Sequence, residues 1–266
     1  MALFEDIDID INFLNNNYIG LFEGQSYDSY VDIDKINSVV LSEANMKAFK
    51  IIHVNIRSLP AHGDEFAAYL DTLKMNFDCI CFSETWLNTG RHIDDLFPNY
   101  MAFHSMRDSG SLGGGTSIYL HNRYTATLMP EISCNLDHIE CVFIKIKFSH
   151  STVVVGSCYR KPISSNATAF IDDISRKISS LDTDYMKILC GDWNFDLLQM
   201  ETDSATAQFM DTLLSLGMVH TISKPTRITD SSATLIDNCE RSSAQPPQAA
   251  ALSVGSSCCR VYGTPN

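Results

Sequence analysis

The chain is 266 residues long, 45% hydrophobic and 10% aromatic, enough to bury one large core, so one globular unit with tails is the economical organisation. A formal net charge of -13 argues against broad nonspecific attachment to nucleic acid, because phosphate affinity normally comes from clustered Lys and Arg. Much of the acid is concentrated before residue 48, where Lys35 and Lys47 alone face nine carboxylates from Glu5 to Glu43.

Residues 1–47 mix Asp and Asn with scattered apolar residues at no sustained period, and read as a disordered or loosely attached acidic leader. The first ten residues lack the basic and apolar regions of a signal peptide, and no apolar run reaches membrane-spanning length. The expectation is an intracellular protein, cytoplasmic or nuclear, with no membrane association. From Phe49 the pattern changes. Phe49 to Val54 reads as a buried strand, residues 63–75 put Phe66, Tyr69, Leu70 and Leu73 on one helical face, and a second strand recurs at Cys79 to Phe82. Strands are expected at 115–120, 139–148, 152–159 and 186–190, and helices at 166–181 and 204–216, the latter stopped by Gly217. Some strands follow one another directly and others are separated by helices. This mixture predicts an α/β fold, a layered β-sandwich of mixed sheets flanked by helices.

Nine cysteines invite a test for disulfides or zinc. Their spacing supports neither: Cys79 and Cys81 share one face of a strand, and Cys141, Cys158 and Cys190 fall singly inside strand-like runs, as buried reduced thiols do. After Asn238 the text turns to Ser, Gln, Pro and Ala, so residues 239–266 read as a non-globular tail, with the domain at 48–238.

Four polar signatures close buried strands: Asn55, Glu84, Tyr159, and Asp192 with Asn194. That edge of an α/β core is where loops converge and active sites gather. Each alone has a bland explanation as a turn or cap residue. Together they make a hard-oxygen site that suits magnesium, which takes one or two carboxylates plus water and substrate phosphate. An Asp-x-Asn beside such a site supplies a carboxylate to orient water and a neutral donor for charge developing on phosphate. Gly113-Gly114-Gly115 lacks the Lys and helix of a phosphate loop and reads as a tight turn into a strand. His104, Arg107 and His121 flank it, where either a solvated loop or a contact to DNA explains them.

In order, Asn-x-Arg-Ser-Leu at Asn55, Ser-Glu-Thr-Trp-Leu at Ser83, Gly-Gly-Gly-Thr-Ser-Ile-Tyr-Leu at Gly113, Tyr-Arg-x-Pro at Tyr159, Gly-Asp-x-Asn at Gly191 and Thr-Leu-Ile-Asp-Asn at Thr234 resemble the endonuclease/exonuclease/phosphatase superfamily. The Ser-Glu-Thr-Trp-Leu and Tyr-Arg-x-Pro forms are similar in particular to the endonucleases of non-LTR, jockey-like retrotransposons, proteins that also carry a reverse transcriptase. The resemblance implies a monomeric hydrolase acting on DNA with Mg2+, or Mn2+ in its place. By the same resemblance Glu84 is a metal ligand, and Asn55 holds the metal's water shell or the phosphate. Tyr159 contacts the scissile phosphate, Asp192 aligns the attacking water, Asn194 supports the transition state, and Asp237 orients a histidine. Arg160 and Lys161, beside Tyr159, are read as phosphate contacts. The family's closing Ser-Asp-His does not follow Asn238. A lost final strand, from a frameshift or truncation, and reduced or absent activity are therefore expected. Two other readings stay open: a non-catalytic remnant that at most binds nucleic acid, and a lipid or nucleotide phosphatase of the same superfamily.

Overall fold

A computed structural model of the chain describes residues 9–10, 30–31, 49–73, 76–88, 96–107, 113–229 and 231–242. Its centre is two sheets packed face to face. The first has the order β3-β4-β6-β5, from Ile51–Asn55 (β3), Cys79–Ser83 (β4), Tyr100–Ser105 (β5) and Thr116–His121 (β6). The second is seven-stranded. Met218–His220 (β12), Asp237–Ser242 (β15), Met186–Asp192 (β11), Thr152–Tyr159 (β10), Glu140–Lys147 (β9) and Ala126–Leu128 (β7) lie in that order, with Cys134–Asn135 (β8) also on β9. Arg227–Ile228 (β13) and Ala233–Thr234 (β14) form a separate hairpin. Helix α1 (Leu59–Thr72) joins β3 to β4, α2 (Ala167–Ser179) joins β10 to β11, and α3 (Ser204–Ser215) precedes β12.

Strand alternation divides the core as the side-chain period of two requires. Ile51, Cys79, Cys81, Ile118 and Leu120 point from the first sheet into the seam between the sheets, packed in one cluster with Cys141, Cys158, Cys190 and Cys239. Ile52, Val54, Ile80, Phe82 and Tyr119 point the other way and are covered by Phe66 and Tyr69 of α1. The seven cysteines of the described residues are all unbridged thiols, five of them in the two groups predicted as buried reduced cysteine. On the outer face of the second sheet Phe170 of α2 and Phe209 of α3 pack around Trp193 and Phe195. The mixed sheets expected from the sequence are thus present: β3 runs parallel to β4 and β10 to β11, whereas the other pairings are antiparallel.

Two boundaries and one strand pairing differ from the sequence reading. Helix α1 starts at Leu59, four residues before the expected Gly63, because Pro60 lies in its first turn, where a missing N–H breaks no helical bond. The acidic leader contains one described pairing, Ile9–Asp10 (β1) against Tyr30–Val31 (β2); the rest of residues 1–47 lies outside the described residues. The non-globular tail does not start at 239: Cys239 to Ser242 continue β15 between β11 and β12. Loss of a further strand concerns residues beyond Ser242, outside the described set. No helix of the described residues is long and apolar enough to cross a membrane.

Candidate active site

Each parallel pair brings two strand ends to one edge, and the two sheets present those edges together. In the second sheet, register places Glu140 opposite Tyr159, Tyr159 opposite Asp192, and Asp192 opposite Asp237, a single row of polar residues across four strands. In the first, Asn55 lies opposite Ser83, and Ser83 opposite Thr116. The rows meet through Asn55, whose side-chain nitrogen donates to Glu84 Oε1 at 2.9 Å and to Asp192 Oδ2 at 2.6 Å. This amide ties a residue of the β4 exit to one at the end of β11.

The chain turns sharply as it leaves these strands. Arg57, Ser58, Glu84, Trp86 and Asn194 all hold positive φ between 46° and 97°, a conformation that costs a non-glycine residue energy and is retained where surrounding bonds fix it. Those bonds are present: Ser58 N–H donates to the Glu84 carbonyl at 2.9 Å, Leu59 N–H to Thr85 at 2.8 Å, and Trp86 N–H to Gly114 at 2.8 Å. Asn194 N–H donates to Asp192 Oδ1 at 3.2 Å, and its side-chain amide to the Arg160 carbonyl at 2.6 Å. Asp237 accepts from Thr226 Oγ1 at 3.1 Å, while Asn238 is spent on structure, accepting from the backbone of Thr221 and Ile222.

Tyr159 is nearly buried. Burial, followed by the negative charges of Glu84, Asp192 and Glu140, pushes its phenol well above the ordinary 10.0, with Arg107 opposing. It therefore stays protonated at neutral pH and is fit to donate.

The structure brings Asn55, Glu84, Tyr159, Asp192, Asn194 and Asp237 to one edge. It does not place Arg160 where the sequence suggested. Consecutive strand residues face opposite ways, and Arg160 turns inward: Nε donates to the Trp193 carbonyl at 2.7 Å, Nη2 to that of Asn194, and the guanidinium lies 3.9 Å from the Phe195 ring centroid. It staples β10 to the loop after β11, so its expected phosphate contact is corrected to a positioning role. Lys161 remains at the surface of the site, with Nζ 3.9 Å from Glu140 Oε1 and 3.7 Å from Asp137.

Glu140 was not singled out by the sequence reading. It is buried, accepts from Arg107 Nε at 2.6 Å and from Gly115 N–H, and opens β9. Because β9 runs antiparallel to β10, its first residue sits at the same edge as the last residue of β10. An acid set inside the otherwise apolar run 139–144 was the available signal.

Among the described residues, no three His, Cys, Asp or Glu side chains form a ready metal cage. Magnesium asks for less, and Asn55 Oδ1 is a buried acceptor without a hydrogen-bond partner, on a side chain bonded to both Glu84 and Asp192. The donor set fits a hard divalent cation.

Several solved structures share this fold. The endonuclease domain of TRAS1, a telomere-specific non-LTR retrotransposon, superimposes with a TM-score of 0.55 at 17% identity, covering 73% of this chain and 84% of that one. The AP endonuclease LMAP from Leishmania major gives 0.54 at 13% identity, covering 73% and 78%. A humanized D. rerio TDP2 gives 0.54 at 16% identity, covering 74% and 85%. No curated protein matches the chain. The model of the Endonuclease/Exonuclease/phosphatase family matches residues 52–234, and the chain belongs to that family.

Proposed function

We propose that this chain is a divalent-metal-dependent phosphodiesterase of the retrotransposon-endonuclease type, nicking DNA. The observation that carries the reading is the Asn55 amide bonded to both Glu84 and Asp192, which draws acids from both sheets onto one hard-oxygen site. Glu84 and Asn55 Oδ1 are the groups that would hold Mg2+, or Mn2+ in its place. Such an ion supplies Lewis-acid stabilisation of charge on a phosphate oxygen.

The remaining roles follow from the groups themselves. Asp192, fixed by Asn55 and by Asn194 N–H, orients water and takes its proton as it attacks phosphorus; the P–O bond to one sugar oxygen breaks and that oxygen leaves, taking a proton from solvent. Tyr159, held protonated, donates to a non-bridging oxygen, and Asn194 supports the same charge. Asp237, at the end of the same polar row, accepts from Thr226 Oγ1 at 3.1 Å and is the acid that would orient a further catalytic group. A second reading is a folded remnant that binds nucleic acid without cutting it.

The deciding experiment is conversion of supercoiled plasmid to open circles by the purified chain in magnesium, beside EDTA and Glu84→Ala controls. Nicking that both controls remove supports the proposal. Nicking that survives either control sinks it, and a folded but silent chain transfers the case to the remnant.

A further inference from the structure

Trp86 follows β4 with 42% of its surface exposed, although tryptophan is on average a well-buried residue. Its backbone is left-handed at φ 55°, two residues after Glu84 at 52°. Such a conformation costs a bulky side chain energy and persists where surrounding bonds impose it. Here they hold the turn from both sides. Ser58 and Leu59 N–H groups donate to the Glu84 and Thr85 carbonyls at 2.9 and 2.8 Å. Thr85 and Trp86 N–H groups donate to the carbonyls of Gly115 and Gly114 at 3.2 and 2.8 Å. The base of the indole is therefore fixed to the same frame as Glu84.

That frame places the ring at the rim of the candidate site. A Cβ on Gly113 would stand 3.8 Å from the indole nitrogen and 3.8 Å from Arg107 Nη1. Arg107 is bonded to Glu140, which lies opposite Tyr159, and Glu84 is bonded to Asn55. An exposed indole is a flat apolar surface that pairs well with another flat ring. Inside an intact duplex both faces of a base are covered by its neighbours, so a base that stacks on a protein ring has first left the stack. Stacking needs no cation. In a chain of net charge -13 it is a way to hold nucleic acid that does not depend on clustered Lys and Arg.

We propose that Trp86 is a base-stacking subsite, taking an unpaired base of the strand whose phosphate enters the site. This rests on the DNA reading above.

The test compares two single strands in binding to the full chain, in calcium to suppress cleavage: a short oligothymidylate and an abasic oligomer of the same length. They carry the same phosphates and differ in the bases. The wild type should prefer the oligothymidylate by about tenfold. Trp86→Gly, which removes the ring and suits the positive φ, should abolish that preference while the slope of log affinity against log salt is kept. Trp86→Phe should retain most of it. Equal binding of both oligomers by the wild type, or a preference that survives in the glycine variant, overturns the subsite and leaves the DNA reading standing. If neither single strand binds, a duplex separates the two failures: a bound duplex overturns the subsite alone, and an unbound one overturns both readings. Should the glycine variant unfold by circular dichroism, acrylamide quenching of the wild type decides. The other tryptophan, Trp193, is fully buried, so the quenchable emission is that of Trp86. Bound oligothymidylate should shield it and the abasic oligomer should not; no shielding by the bound oligothymidylate ends the proposal.

Discussion

Asp192 stands directly opposite Asp237 across the β11–β15 ladder. The next pair, Trp193 and Ile236, is joined by a backbone hydrogen bond of 2.8 Å. In an antiparallel ladder such pairs alternate with unbonded ones whose Cα atoms approach to about 4.5 Å. Asp192 and Asp237 are of the close kind, and both are buried. Like charges directly opposite on paired strands are destabilising. Asp237→Asn keeps the shape and removes one charge, so it should stabilise the fold by up to about 1 kcal/mol while slowing nicking at least about tenfold. Urea unfolding beside plasmid nicking checks both. A less stable variant that nicks at the wild-type rate would mean the two charges do not oppose each other.

Asn55 is the contact between the two halves of the site. Asn55→Ala leaves Glu84 and Asp192 without their shared donor, and should cost about 1–2 kcal/mol of stability and about a hundredfold in nicking. Asn55→Asp should be worse on both counts, since it adds a third acid where a donor stood. Stability and rate measured on the two variants rank them; an aspartate variant better than the alanine would contradict the donor role.

Glu240, in the continuation of β15, is fully buried, and neither of its carboxylate oxygens has a hydrogen-bond partner. Burial, with Cys239 adding to it, pushes its carboxyl well above the ordinary 4.5. The folded chain therefore keeps a proton that the unfolded chain releases above about 4.5. Stability from this group is full below that value and falls as pH rises toward the folded one. Glu240→Leu should stabilise the chain by about 1–3 kcal/mol at neutral pH. The gain should be larger at about pH 8 than at about pH 5. Urea unfolding of both proteins at the two pH values is the check; a gain that does not grow with pH would show that Glu240 does not titrate in the fold.

The residues that were legible in the sequence share a simple signal. Asn55, Glu84 and Asp192 each end an apolar run, and polarity at the exit of a buried strand is visible without knowing which strands pair. Glu140 and Arg107 carry no such mark. Glu140 opens its strand, and only the antiparallel pairing of β9 with β10 brings that opening to the site. Arg107 depends on β5, whose Tyr-Met-Ala-Phe-His-Ser has no β-branched residue and is only partly buried over five of its six positions. Arg160 was misplaced because sequence gives adjacency to Tyr159 but not direction, and Arg160, just past β10, turns to the Trp193 and Asn194 carbonyls. The end of the domain was set too early because Cys-Glu-Arg-Ser lacks apolar periodicity, although its backbone completes a ladder with β11 and β12.

The bond between Asn55 and Asp192 joins residues 137 positions apart. Closing so long a loop must precede any return from the contact, which places it late in folding and makes the chain slow to mature. Asn55 and Asp192 belong to different βαβ units, β3-α1-β4 and β10-α2-β11, so circular dichroism recovers before the two residues meet. Refolding followed by catalysis will lag refolding followed by secondary structure, and the delay times the docking of the two sheets.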